Sequence, residues 1–392
     1  MRDKSLKNGP DSQGYYGDFG GMYSGITLIP PLLELEKAFN EAIKDQDFLD
    51  EFDYHLKHFV GRPSPLYYAE GLTKKVGGAK ILFKQEHLNH TGSHKINNAL
   101  FQVLLAKRMK KKRLLCESGA GAHFSAVAAV AAKFQIPLVG VMGDTDVKRV
   151  NQNIVKAKHY GAKLITTPGT LKDAITTTLK NWTADPDSYY VVGSSVATSP
   201  FPRIVQYAQS IIGREARKQI MEMEGKLMDL CVGCVGGGSN FIGLIHEFLD
   251  EPDVKMIGVE ASESASLSKG TVGIMQGMKS YMLQNDYGSM TTGGPNISAG
   301  TQFYSVGPEH AYLKSIGRVE YRSCTDREML DAYKMCAKYE GIIPALEPMA
   351  GLHHALEEAK DKPKDYIILT GLCGRGEKDL DQIENLIGKE FE

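Results

Sequence analysis

Asn89-His90-Thr91-Gly92-Ser93-His94-Lys95-Ile96-Asn97-Asn98-Ala99-Leu100 is the stretch that decides the fold. An apolar run, Ile81-Leu82-Phe83, precedes it. A helical pattern through Leu100, Val103, Leu104 and Leu105 follows. The stretch therefore reads as strand, glycine loop and helix, with Lys95 near the first helical turn. A cation there faces the positive pole of the helix dipole. A neutral nitrogen escapes that repulsion, and a lysine held in a Schiff base provides one.

The same alternation extends outward. Strands are expected at Arg113–Cys116, Pro137–Met142, Lys163–Thr167, Tyr189–Val192, Leu230–Val235, Met256–Val259, Val319–Arg322 and Tyr366–Leu369. Between them run helical patterns, among them His123–Phe134, Lys148–Tyr160, Leu171–Trp182, Arg203–Glu224 and Arg327–Tyr339. Pro30-Pro31 starts an earlier helix, as proline at a first turn should. Residues 61–66 read as a loop and 264–312 as irregular. This order predicts an α/β fold of two open twisted sheets flanked by helices, with ligand loops at the carboxyl ends of strands.

The chain has 392 residues, 42% of them apolar, and a formal net charge of −1. That balance gives no electrostatic case for nucleic acid or an anionic membrane. The longest apolar run, Phe124 to Met142, is interrupted by Lys133, Gln135 and Pro137, so no membrane span is expected. The polar start resembles no signal peptide, and a cytoplasmic location is expected. Six cysteines in a chain of this length form no disulfide framework. Cys231 and Cys234 have CxxC spacing on a strand, where residues three apart face opposite ways and chelate poorly. His90 and His94 lack the glutamate of a metalloprotease helix.

Three loops carry chemistry. Val235-Gly236-Gly237-Gly238-Ser239-Asn240 follows a strand and opens a helix, so its backbone N–H groups can converge on a phosphate. The dinucleotide and triphosphate spacings are both absent, which points to a single terminal phosphate. Cys116-Glu117-Ser118-Gly119-Ala120-Gly121-Ala122-His123 places a carboxylate at a strand end and then a small-residue loop suited to a substrate carboxylate. Leu369 to Asp379 carries Cys373 between glycines before the last helix. A lysine, a glycine phosphate cup and an acid on separate strand–helix turns fit a pyridoxal phosphate site.

At this point the chain resembles the tryptophan synthase β family, fold type II of the pyridoxal phosphate enzymes. The likeness rests on FGGMY at 19–23, GRPSPL at 61–66, LNHTGSHKINNAL at 88–100, ESGAGAH at 117–123, VGGGSN at 235–240, VGPEHAYL at 306–313 and CGRGEKD at 373–379. It implies pyridoxal 5′-phosphate bound covalently to Lys95. His94, Ser194, Gly236, Gly237, Gly238, Ser239, Asn240, Glu347 and Cys373 would surround the cofactor. Glu117 would be the acid/base. Ser118, Gly119, Ala120, Gly121, His123 and Gln302 would meet the substrate. Backbone carbonyls of Gly236, Phe303 and Ser305 would take a monovalent cation, K⁺ or Na⁺. The implied reaction joins L-serine and indole into L-tryptophan and water, in a homodimer that can dock an α chain. The implied domains are 61–204, with a smaller mobile unit at about 105–195, and 1–60 with 205–392.

The departures from the family cluster at the site. Cys373 stands where the family has serine, and Ala122 replaces an amide. Gln302 replaces the aspartate that pairs with an arginine, Arg149 here. That change turns a charge-assisted bond of roughly 1.5–3 kcal/mol into a neutral one. These changes support an alternative: a lyase that adds another nucleophile to the serine-derived aminoacrylate, or a dehydratase. A non-catalytic binding subunit is the third reading, and a retained Lys95 with Glu117 speaks against it.

Overall fold

The computed structural model describes residues 5–147, 151–291, 294 and 296–390. Its largest sheet has six strands, in the order Glu320–Cys324, Lys255–Ala261, Leu230–Cys234, Ile367–Gly371, Lys80–Lys84 and Leu66–Tyr68. All neighbours are parallel except the last pair. Alternation sorts the side chains between the two faces. Ile81 and Phe83 enter one core and Leu82 the other. Cys234 and Cys231 divide in the same way, so the CxxC pair does face opposite sides.

A second sheet is wholly parallel, in the order Lys163–Thr167, Leu138–Gly143, Arg113–Glu117 and Ser188–Tyr190. The Lys95–Arg108 helix, whose residues from Ile96 to Ala106 are all buried, packs on the helices Ala122–Phe134 and Phe201–Gln209. A helix covered on every side belongs inside the molecule, and this one joins the core of the second sheet.

Several elements differ from expectation. A third, antiparallel sheet joins Tyr15–Tyr16, Phe19–Gly20, Met278–Met282 and Thr271–Met275. Its hairpin lies inside the segment expected to be irregular. The turn is Gln276-Gly277, with φ of 49° and 75°, the paired positive angles that suit a tight hairpin. Helix Pro308–Ser315 lies in the same segment. A strand, Leu66–Tyr68, begins at the last residue of the expected loop 61–66, because its backbone pairs with Leu82–Lys84. That pairing puts Leu66–Tyr68 and Lys80–Lys84 in one sheet with strands from 230–371. The long helix expected at 203–224 is two, Phe201–Gln209 and Ile211–Glu224.

Candidate active site

Three adjacent strands of the large sheet, Leu230–Cys234, Ile367–Gly371 and Lys80–Lys84, release their loops at one carboxyl edge. Those loops carry the glycine turn, Cys373 and Lys95. Thr91 at φ 69° and Gly92 at φ 84° fold the last of them sharply back. Ser93 then bridges to Gly374, and Arg375 N donates to Gly92 O at 2.9 Å. The second sheet faces this edge with the ends of Arg113–Glu117 and Ser188–Tyr190. A cavity of about 600 Å³ lies between them.

The start of the Lys95 helix is clamped from below. Glu86 takes two hydrogen bonds from Arg62 (2.7 and 2.9 Å) and one each from Ser64 (2.6 Å), Asn89 (2.7 Å) and Asn97 (3.1 Å). Gln209 Nε2 donates to His94 O at 3.1 Å. A buried carboxylate needs such a shell of donors.

Lys95 Nζ donates to Gly193 O at 2.5 Å and lies 3.4 Å from Ser239 Oγ. Burial pushes its pKa down to about 8, against the pull of nearby acidic groups. His94 Nδ1 donates to Cys373 O at 3.1 Å, since a carbonyl only accepts, and Nε2 pairs with Ser239 Oγ at 3.2 Å. Cys373 Sγ lies 3.8 Å from Cys234 Sγ. That contact, and then burial, raises the Cys373 thiol well above its usual range.

The glycine turn is packed too closely for side chains. A Cβ on Gly237 would stand 2.1 Å from Ser194 Oγ, and one on Gly236 2.9 Å from Gly300 O. Asn240 turns its amide back onto Cys234 O at 3.2 Å.

Glu117 faces this wall from the second sheet. It is 7% exposed, and burial lifts its pKa to about 7 although Tyr190 donates a hydrogen bond to it. Its Oε2 has no partner among the described residues. The loop after it ends at Gly121, φ 72°, and opens the 13-residue helix Ala122–Phe134. Asn153 Nδ2 steadies the loop on Ala120 O at 2.9 Å. His123 Nε2 donates to Val191 O at 2.9 Å, while Nδ1 has no partner among the described residues. Burial, helped by the Lys95 charge, pushes that ring down to about 3, so it is neutral.

The roof is the segment from Gly300 to Tyr304. Glu347 Oε1 accepts from Gly300 N at 2.9 Å and from Lys378 Nζ at 3.0 Å. Burial opposes its charge, but Lys378 prevails and holds the carboxyl below its usual range.

The cavity wall thus brings together His94, Lys95, Glu117, Ser118, Gly119, Ala120, His123, Ser194, residues 236–240, Gln302, Phe303, Glu347 and Cys373. Gly121 and Ser305 stand off it. Gly121 is the turn that starts the helix, and Ser305 Oγ donates to Tyr281 O at 2.8 Å. Arg149 lies outside the described residues. The sequence reading missed Tyr190, Gly193 and Trp182, all on the wall. Gly193-Ser194-Ser195 after a strand was the legible signal for the second of these.

A family model described as "Pyridoxal-phosphate dependent enzyme" matches residues 58–374. A protein named tryptophan synthase beta chain, from Rhodopseudomonas palustris (strain BisA53), is 45% identical over 398 aligned residues, covering 99% of this chain and 98% of that one. The chain belongs to the pyridoxal-phosphate-dependent enzymes and, within them, to the tryptophan synthase β family.

Proposed function

We propose that this cavity binds pyridoxal 5′-phosphate and joins L-serine to indole, forming L-tryptophan and water. The observation that carries the reading is the pair Lys95 and Glu117, on opposite walls of one cavity. Their pKa values are moved to about 8 and about 7, so each can hold or release a proton near neutrality.

The residues fit the cofactor. The buried amine of Lys95 is readily neutral, the form that condenses with an aldehyde. The turn at 236–239 offers backbone N–H groups and the Ser239 hydroxyl to a phosphate, and Ser194 closes its side. Cys373 and His94 line the wall beside Lys95. When bound, the cofactor supplies the aldehyde and a ring that takes up the charge left by α-proton loss.

The chain's own residues do the rest. The loop Ser118–Gly121 receives the serine carboxylate. The freed Lys95 Nζ takes the α-proton and later returns it. Glu117 delivers a proton to the departing hydroxyl, because hydroxide is a poor leaving group. The same carboxyl then accepts a hydrogen bond from the indole N–H. Leu32, Trp182, Tyr190 and Phe201 on the wall give indole an apolar seat and keep water from competing.

The test is tryptophan formed from serine and indole, with pyruvate measured beside it. Tryptophan without much pyruvate supports the reading. Pyruvate alone, or a product from another nucleophile, favours the second reading, for which Cys373 and Gln302 speak.

We extend the proposal to the assembly. A monovalent cation, Na⁺ or K⁺, binds backbone carbonyls of Gly236, Phe303 and Ser305, and activity should depend on which cation is supplied. The chain forms a homodimer and can dock an α chain, which sedimentation with and without that partner tests. Residues of about 105–195 move as a smaller unit within the domain 61–204, which packs against the domain formed by 1–60 and 205–392. A cytoplasmic location fits an enzyme of this kind. Among the described residues no helix is long and apolar enough to cross a membrane.

A further inference from the structure

His310 stands behind the glycine turn, on the helix Pro308–Ser315, with 1% of its surface exposed. Its Nε2 lies 2.9 Å from Gly238 O, which also accepts from Ile242 N at 3.0 Å, and its Nδ1 lies 2.8 Å from Tyr321 Oη. A carbonyl only accepts, so Nε2 carries the proton. In a neutral ring Nδ1 then accepts from the tyrosine hydroxyl, and Tyr321 fixes the tautomer. Burial, which holds this ring near a pKa of about 4, keeps it neutral. The fit is close: a Cβ on Gly238 would stand 2.2 Å from His310 Cδ2, and the Phe241 ring lies parallel to the imidazole.

The next carbonyl along is held in the same manner. Gly237 O accepts from Ser195 Oγ at 2.7 Å and from Gly307 N at 3.0 Å. A trans peptide unit points its C=O and N–H in opposite directions. Carbonyls tied to donors behind the turn therefore aim the N–H groups of Gly238 and Ser239 the other way. Gly237, Gly238 and Ser239 all line the cavity.

We infer that His310 is a positioning residue for the phosphate end of the cofactor: as the second donor on Gly238 O, beside the helix N–H of Ile242, it keeps the Ser239 N–H directed at the anion. The inference rests on the cofactor reading above. It predicts a defect confined to the phosphate, because Gly238 of the turn is the cavity-wall residue to which His310 bonds among the described residues.

The test titrates the full chain, stripped of cofactor, with pyridoxal phosphate and separately with pyridoxal, and follows imine absorbance. His310→Leu should weaken pyridoxal phosphate about tenfold, the loss of one neutral hydrogen bond. It should leave pyridoxal affinity within about twofold. His310→Gln, which keeps an N–H donor at similar reach, should restore most of the loss. Tyr321→Phe keeps the ring but frees its tautomer, and should show a smaller phosphate-specific loss of about threefold. It serves as the second variant if the leucine protein does not fold. Unchanged affinities, or equal losses for both aldehydes, overturn the proposal. A wild-type chain that takes up neither aldehyde removes the cofactor reading itself, and the proposal with it.

Discussion

The two walls of the cavity are built on different terms. On the wall of the large sheet, most polar groups are tied to one another, the Thr91 hydroxyl excepted. His94 spans Cys373 and Ser239, Lys95 reaches Gly193, and the turn carbonyls are held from behind. On the wall of the second sheet, Glu117 Oε2 and His123 Nδ1 are buried with no partner among the described residues. An unpaired buried polar atom costs about 1–3 kcal/mol. The first wall is thus largely finished by the chain, and the second, where the unpaired groups are ionisable, is completed by what binds. A resident cofactor needs the first kind of surface, and a substrate that comes and goes needs the second.

The largest expected effect lies on the finished wall. Lys95→Ala should lower tryptophan formation by more than about 10⁴-fold, since no second amine replaces it. Steady-state assay with serine and indole checks this, and an active variant breaks the comparison at its base. Glu117→Gln should cost about 10²–10⁴ in kcat, the usual range for a lost acid/base.

The same variant sharpens the claim that the second wall is strained without ligand. Burial lifts the Glu117 carboxyl from 4.5 to about 7, so the folded state binds its proton more tightly than the unfolded state does. The stability this contributes is full below about pH 4.5 and is lost as pH rises through about 7. Glu117→Gln escapes that loss. In cofactor-free protein it should be the more stable form at pH 8 by up to about 3 kcal/mol, and should lose this advantage at pH 4. Thermal denaturation at the two pH values reads the difference. An advantage independent of pH would show that the carboxylate is not destabilised by burial.

Two smaller effects return to the finished wall. Gly237→Ala meets Ser194 Oγ, 2.1 Å from the new Cβ, and should weaken cofactor binding about tenfold by spectral titration. Cys373→Ser exchanges a thiol for a better donor of similar shape, and should change kcat by no more than about threefold.

What the sequence disclosed follows the same division. Lys95 and the triple glycine were legible because each is a contiguous motif between a strand and a helix, where local chemistry alone states the purpose. Glu117 was legible as a strand-ending acid, but its burial was not, because the covering residues come from distant segments. Tyr190 and His310 went unread for that reason. VGPEHAYL was visible as a motif, yet only the folded chain brings position 310 behind Gly238. The third sheet was hidden by composition, since a glycine- and serine-rich segment reads as irregular until Gln276-Gly277 is seen closing a hairpin.

The most direct test of the central claim is to reduce the yellow holoenzyme with borohydride and map the modified peptide by mass spectrometry. The account predicts a phosphopyridoxyl group on Lys95 and on no other lysine. A label on a different lysine, or no label at all, would contradict it.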